Sequence, residues 1–330
     1  MNTTRPSADE TGPPDSLLDV FATKRSTAVL LPCYNEERTV GDVIAAFRRH
    51  LPDAVIYVYD NNSTDRTAAV AARAGAVVRR ERYQGKGNVM RRMFADVEAD
   101  VFVLADGDLT YDASAAGRLI DTLVRENVDM VVGVRVEAGE AAYRRGHRFG
   151  NRMFNRIVAA LFGDGFSDIL SGYRVMSRRF VKSFPAVSSG FEVETELSVH
   201  ALDLKVGTIE IPLSYAERPA GSTSKLKTYR DGFRILMTIV MMYRTLQPLR
   251  FYSAVAFALF ALALALGAPV LVTYFRTGLV PRLPTAVLAA VIVQVGFLSM
   301  TCGIIIDAIS ASRRELKRMR YLDLKAPGHH

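Results

Sequence analysis

Two stretches of this chain are too long and too apolar for an ordinary soluble fold. Residues 251–275 carry no charge, and residues 285–309 are interrupted only by Gln294 and Asp307. A bilayer core needs about 20 apolar residues per helix, and soluble helices rarely run so far without a polar face. The nine-residue connector, 276–284, holds two prolines, so the spans should form a hairpin. Arg244 and Arg250 precede the hairpin, and Arg313, Arg314, Lys317, Arg318 and Arg320 follow it. The connector has only Arg276 and Arg282. That bias predicts a multi-pass protein of the inner (cytoplasmic) membrane with both termini and the main domain cytoplasmic. Asp307 falls near the cytoplasmic end of its span, within reach of water or an arginine. Residues 1–25 are polar, contain three prolines and read as a flexible lead without a signal peptide.

The remaining composition bounds the chemistry. The net charge is +8, but residues 135–156, 218–250 and 312–330 carry +4, +6 and +4, and everything else sums to −6. Two of these patches flank the hairpin and lack interleaved stacking aromatics, which argues against nucleic acid and for a lipid bilayer. Cys33 and Cys302 are far apart and make neither a disulfide framework nor a zinc site. A homo-oligomer is compatible with the sequence and is not specified by it.

Between residues 26 and 228, short apolar runs alternate with helical patterns. Strands are expected at 27–31, 55–59, 76–78, 101–104 and 128–133, with helices at 39–50, 67–74, 88–97 and 113–126. Such alternation predicts an α/β fold, a mostly parallel, Rossmann-like doubly wound sheet. Ligands in these sheets bind beyond the carboxyl ends of the strands. The polar residues at those ends are Asn35, Glu36, Asp60, Asp106, Asp108 and Arg135. Asp106-Gly107-Asp108 can aim two carboxylates at one hard cation, which completes its shell with phosphates and water. Gly85-Lys86-Gly87 opens a helix and is small and basic enough to approach a diphosphate through backbone N–H groups. Neither a P-loop nor a GxGxxG follows the first strand.

Leu31-Pro-Cys-Tyr-Asn-Glu-Glu37, Tyr59-Asp-Asn-Asn-Ser-Thr-Asp65, Gly85-Lys-Gly87 and Asp106-Gly-Asp108 occur in that order. Together they resemble the family 2 glycosyltransferases of the GT-A fold. Gly133-Val-Arg135, Asp168-Ile-Leu-Ser-Gly-Tyr-Arg174 and Arg218-Pro-Ala-Gly-Ser-Thr-Ser-Lys225 add a narrower likeness, to the polyisoprenyl-phosphate glycosyltransferases of the dolichol-phosphate mannose synthase type. The resemblance implies that Pro32, Tyr34, Glu36 and Asp60 hold the nucleoside, with Lys86 and Asp106 also on the nucleotide. It implies Mg²⁺ or Mn²⁺ on Asp106 and Asp108. Arg135, Arg148, Arg152, Arg218 and Ser224 would take the acceptor phosphate, and Arg135, Arg218 and Lys225 would assist transfer. Thr110 departs from the pattern, since relatives often have Gln there. Gly190-Phe-Glu-Val-Glu-Thr-Glu196 resembles a segment of bacterial members, with no role implied for Glu192, Glu194 or Glu196.

The implied reaction moves a sugar, with inversion, from a nucleoside diphosphate (UDP- or GDP-linked) to a polyprenyl phosphate. A phosphate monoester has a second pKa near ~6, so the acceptor is largely ionised at neutral pH and needs no general base. None of the five histidines falls in a catalytic motif. What two anionic substrates need is cations, and arginine suits bidentate phosphate recognition. The helical patterns at 148–162 and 229–246 combine apolar stripes with basic residues and are expected at the membrane interface. The expected divisions are a lead (1–25), a GT-A domain (26–228), a juxtamembrane helix (229–250), a hairpin (251–309) and a basic tail (310–330). A non-lipid acceptor and a non-enzymatic membrane scaffold stay open as alternatives. A processive polysaccharide synthase is disfavoured, because the chain has no tryptophan for a QxxRW segment and only one hairpin.

Overall fold

The computed structural model describes residues 25–137, 145–216 and 228–327. In chain order the first half runs β1 (Thr27–Cys33), α1 (Val40–His50), β2 (Val55–Asp60), α2 (Thr67–Arg73), β3 (Val77–Arg80), α3 (Lys86–Asp96) and β4 (Val101–Leu104). A 3₁₀ turn (Ala113–Ala115) then leads into α4 (Ala116–Arg125), followed by β5 (Met130–Glu137) and α5 (Arg145–Phe162). The second half comprises β6 (Arg174–Ser177), α6 (Arg178–Ser183), α7 (Val193–Leu204), β7 (Thr208–Tyr215), α8 (Thr228–Leu246), α9 (Pro248–Thr277) and α10 (Leu283–Leu322).

The seven strands form one sheet in the order β3-β2-β1-β4-β6-β5-β7. β6 runs antiparallel to both its neighbours, and the other pairings are parallel. The expected parallel sheet is therefore present, with two strands that the sequence pattern did not single out. β6 is four residues long and begins with a buried arginine, and β7 contains Glu210 and Pro212, so neither reads as a simple apolar run.

The two faces of the sheet bury separate cores. Val29, Leu31 and Cys33 of β1 face Val43, Ile44 and Phe47 of α1 and Leu119 and Leu123 of α4. Ala28 and Leu30 face Met90, Met93 and Phe94 of α3 and Val193 and Leu197 of α7. Strands buried on both sides lose the polar alternation of a half-exposed strand, which is why β1 and β4 read as continuous apolar runs. Adjacent β1 pairs with β2 on one side and β4 on the other. Since the connections after β1 and β4 leave toward opposite directions of strand order, the switch point at which such sheets form a crevice lies between β1 and β4.

Two expectations are corrected. The apolar stripe of α5 does not face lipid: Phe154 and Val158 are buried with Val199 of α7 and Ile235 and Ile239 of α8 in a third core. Nor do residues 310–322 form a free basic tail on the headgroups. They continue α10 along the domain, where Lys317 Nζ meets Asp203 Oδ2 at 3.2 Å and Tyr321 Oη donates to Asp129 Oδ2 at 2.6 Å. Arg179 completes that junction, pairing with Asp129 and lying 4.7 Å over the Tyr321 ring. The other helix expected at the interface, α8, has two apolar sides. Ile235 and Ile239 enter the core, while Phe233, Met237 and Met241 are exposed.

α9 and α10 are both long and apolar enough to cross a membrane. The buried residues of the pair recur at seven-residue spacing, Ala256, Ala263 and Val270 on α9 and Ala289, Gly296 and Gly303 on α10, while Ser310 further along α10 donates to the Thr245 carbonyl of α8 at 2.8 Å. Large apolar side chains such as Phe257, Phe275, Phe297 and Leu298 point outward. Where the hairpin meets the α/β domain, Asp307 shares a cavity of about 390 Å³ with Arg250 and Arg314.

Candidate active site

The site grows from the loops that leave β1, β2 and β4 on one rim. Asn35 adopts the left-handed region (φ 53°), where a short polar side chain is tolerated. Its Oδ1 accepts from the Thr64 N–H at 2.8 Å, and its own N–H donates to Ser63 Oγ at 2.9 Å. The Glu36 N–H donates to Thr67 Oγ1 at 2.8 Å, and the Arg66 N–H to Glu37 Oε2 at 2.9 Å. The two sequence motifs are thus one laced structure, and their polar residues largely hold each other. Asn61 extends the lacing, donating to the Tyr83 carbonyl at 2.8 Å and accepting from the Gly85 N–H at 2.7 Å.

Asp60 sits at the centre of this weave, opposite Cys33 in the sheet register, with Pro32 beside Tyr59. Its Oδ2 accepts from the Ser63 N–H at 3.3 Å, while its buried Oδ1 has no partner. A buried acceptor without a donor is costly and calls for an explanation; a nucleoside N–H or hydroxyl would satisfy it. Tyr34 and Glu36, both half-buried, lie in the loop that leaves β1 beside Asp60.

Asp106 and Asp108 follow β4, as expected. Gly107 is required between them, because a Cβ there would lie 2.7 Å from Cys33 Sγ. Asp108 is buried, and its Oδ1 accepts from both the N–H (3.2 Å) and the Oγ1 (2.6 Å) of Thr110. Thr110 therefore orients Asp108, and its side chain is also hydrogen-bonded with Tyr215. Asp106 Oδ1 accepts from Lys86 Nζ at 2.5 Å, and the same ammonium donates to Glu194 Oε1 at 2.6 Å. Burial works against the Lys86 charge, but Asp106 and Glu194 outweigh it and hold its pKa above the ordinary lysine value. Among the described residues no group of three or more His, Cys, Asp or Glu side chains is arranged to hold a metal. Two carboxylates on one rim still fit a hard cation that takes its other ligands from a diphosphate and water.

The expected use of Gly85 and Gly87 is corrected. The N–H groups of Gly87 and Asn88 donate to the Ser189 carbonyl at 3.1 and 3.4 Å, so they are spent within the protein. A Cβ at either glycine would collide with the carbonyls of Ser188 or Ser189. These glycines let the 188–189 loop lie on α3, and only the Lys86 side chain turns to the site. Glu196 holds that loop, accepting from the N–H groups of Val187 (2.9 Å) and Ser188 (2.8 Å).

Arg135 reaches the rim from β5 already paired. Its Nε and Nη2 each donate to Asp168 at 2.7 Å, and its guanidinium lies 5.7 Å from the Tyr215 ring centre. Burial would raise the Asp168 pKa, yet the bonds and charge of Arg135 keep it below the ordinary carboxylate value. Asn151 of α5 also donates to Asp168 at 3.3 Å. Arg174 is wholly buried and donates to the carbonyls of Ser171, Ile169 and Glu194 and to Ser198 Oγ. The 168–174 motif is thus a brace joining β5, β6 and α7. Arg152 is exposed on α5. Arg218, Ser224 and Lys225, and the side chain of Arg148, lie outside the described residues.

Sequence reasoning left Glu194 without a role. Its signal was present: α7 is buried on nearly every side, and an acid inside such a helix must have a partner.

Asp60, Asp106 and Asp108 thus share one rim above a doubly wound sheet, with Lys86 held against Asp106. The sequence profile described as Glycosyl transferase family 2 matches residues 28–184. Glycosyltransferase AglJ of Haloferax volcanii is 34% identical over 305 residues, covering 91% of this chain and 99% of that protein. The dolichyl-phosphate hexose transferase of the same organism is 30% identical over 213 residues, 64% of this chain and 92% of that protein. Among solved structures, glucosyl-3-phosphoglycerate synthase from Mycobacterium tuberculosis, in complex with Mn²⁺, UDP-glucose and phosphoglyceric acid, superposes with a TM-score of 0.57. It is 24% identical and covers 71% of this chain and 86% of that one. The chain belongs to glycosyl transferase family 2 and is a hexosyltransferase with the GT-A-like sheet of that family.

Proposed function

We propose that this enzyme transfers a sugar from a nucleoside diphosphate to a polyprenyl phosphate at the cytoplasmic face of a membrane. The observation that carries the reading is the union of two features. A rim with Asp60, Lys86, Asp106 and Asp108 belongs to a domain fastened, through α10, to two helices long enough to span a bilayer. A dolichyl-phosphate hexose transferase among the relatives supports the acceptor class.

In this reading Asp60 Oδ1 accepts from the nucleoside, while Pro32, Tyr34 and Glu36 line its crevice. Lys86 offers positive charge where the donor diphosphate lies. Asp106 and Asp108 would hold Mg²⁺ or Mn²⁺, which when bound stabilises charge on the departing diphosphate. Arg135, fixed by Asp168, faces the acceptor phosphate together with Arg148, Arg152, Arg218 and Ser224, and Lys225 assists departure. A phosphate oxygen bonds to the anomeric carbon as the bond to the diphosphate breaks, and the electron pair leaves on the diphosphate. No side chain need take a proton, because the acceptor is already ionised. The configuration inverts in a single displacement.

The division into catalytic domain, juxtamembrane helix and hairpin, with both termini cytoplasmic, belongs to the same proposal. The exposed Phe233, Met237 and Met241 of α8, continuous with α9, suit the lipid boundary. The test mixes detergent-purified protein, polyprenyl phosphate, Mg²⁺ or Mn²⁺ and labelled UDP- and GDP-sugars. Label entering the organic phase supports the reading, and label entering only a water-soluble acceptor refutes it.

A further inference from the structure

Lys86 is the one cation, among the described residues, that touches the Asp106 carboxylate, and it is shared. Its second partner, Glu194, is itself held rigidly. The Glu194 carbonyl accepts from the buried Arg174 guanidinium at 3.1 Å, and that guanidinium also bonds Ser198, one turn further along α7. Both lysine contacts are short, at 2.5 and 2.6 Å, and Glu194 is largely shielded from water while Asp106 is partly open to it. Gly172 closes the other side of the pair, since a Cβ there would lie 2.8 Å from Asp106 Oδ2. An ammonium given wholly to Asp106 would neutralise the carboxylate that a divalent cation needs. Drawn partly toward Glu194, it leaves that carboxylate charge to spare.

We propose that Glu194 is a positioning residue that holds Lys86 between itself and Asp106, so that Asp106 stays available to a divalent cation beside the donor diphosphate. This inference rests on the metal reading of Asp106 and Asp108. Partners that orient metal ligands typically change metal affinity by about 10–100-fold when removed.

The test is Mn²⁺ binding rather than turnover. Free Mn²⁺ is read by electron paramagnetic resonance as the full-length protein in detergent is titrated without nucleotide, so that the part Lys86 plays toward a diphosphate does not enter the measurement. Glu194→Gln should weaken Mn²⁺ binding about 10–100-fold. The double variant Glu194→Gln with Lys86→Met removes the competing ammonium as well, and its Mn²⁺ affinity should return at least to that of the wild type. A purely structural role for Glu194 would not produce that recovery. If the single variant binds Mn²⁺ as the wild type does, or the double variant binds more weakly than the wild type, the inference is overturned. Should Glu194→Gln fail to fold, Glu194→Asp, which keeps the charge but shortens its reach to Lys86, takes its place: weaker Mn²⁺ binding is expected, and wild-type binding overturns the inference. If Asp108→Asn binds Mn²⁺ like the wild type, the metal reading itself fails and this inference falls with it. Loss in Asp108→Asn with no effect in Glu194→Gln refutes only the role of Glu194.

Discussion

Asp108 and Thr110 show how much chemistry rests on single side chains here. Asp108→Ala should abolish transfer, by at least about a hundredfold as expected for loss of a main charge-stabilising group, while the protein keeps its melting temperature within a few degrees. Normal turnover by a folded variant would remove the metal assignment. His200 makes a different prediction. It is buried against Phe180 and Phe184, its Nδ1 has no partner, and burial together with nearby Lys317 pushes its pKa down to about 3. The unfolded chain takes up this proton below about pH 6.5 and the folded one does not. Stability is therefore fully present above that pH and falls on acidification toward pH 3, by up to about 1.4 kcal/mol per unit from this group. Melting curves of His200→Met should show a shallower slope between pH 6.5 and 4.5; an unchanged slope would contradict this account. At this scale the sequence was informative about Asp60, Asp106 and Asp108, because short motifs at strand ends mark a rim. Glu194 and Asp168 were harder to read, because their partners lie 108 and 33 residues away.

Among the elements, α10 joins the apolar hairpin to the α/β domain. Its 40 residues span about 60 Å at 1.5 Å per residue, twice the ~30 Å hydrocarbon thickness, so a helix of this length has a large part to spare beyond any bilayer it crosses. That part docks through Lys317, Arg318 and Tyr321. Tyr321→Phe removes a hydrogen bond to a buried carboxylate and should cost about 1.5–3 kcal/mol, read as a lower melting temperature and faster proteolysis after residue 310. Within the hairpin, a Cβ on Gly296 would lie 2.5 Å from the Phe260 ring. Gly296→Val should therefore destabilise the packed pair by about 1–3 kcal/mol; unchanged thermal stability in detergent would argue against this interface. The hairpin was legible because apolar length is a one-dimensional signal. The docking of α10 was not, because basic residues after a span read equally well as headgroup contacts. The stripe of α5 misled for a related reason: an apolar face states that it is covered, without saying whether by lipid or by α8.

For the whole molecule, the +8 charge takes on a more divided meaning. Arg135 is matched by Asp168, Arg179 by Asp129 and Lys317 by Asp203, so part of the basic excess holds the protein together. Lys86 is likewise shared between Asp106 and Glu194, so the cations at the rim are held in place by carboxylates. The family and the αβ sheet could be read from four motifs in order, since these follow local strand-to-loop geometry. The choice of donor could not, because a carboxylate such as Asp60 accepts from uracil and guanine alike. The most direct test of the central claim is therefore transfer itself. Purified full-length protein with polyprenyl phosphate, a divalent cation and labelled nucleotide-sugars should place label in the organic phase, in a product of inverted anomeric configuration. Label confined to water-soluble products, or a retained configuration, would contradict the account.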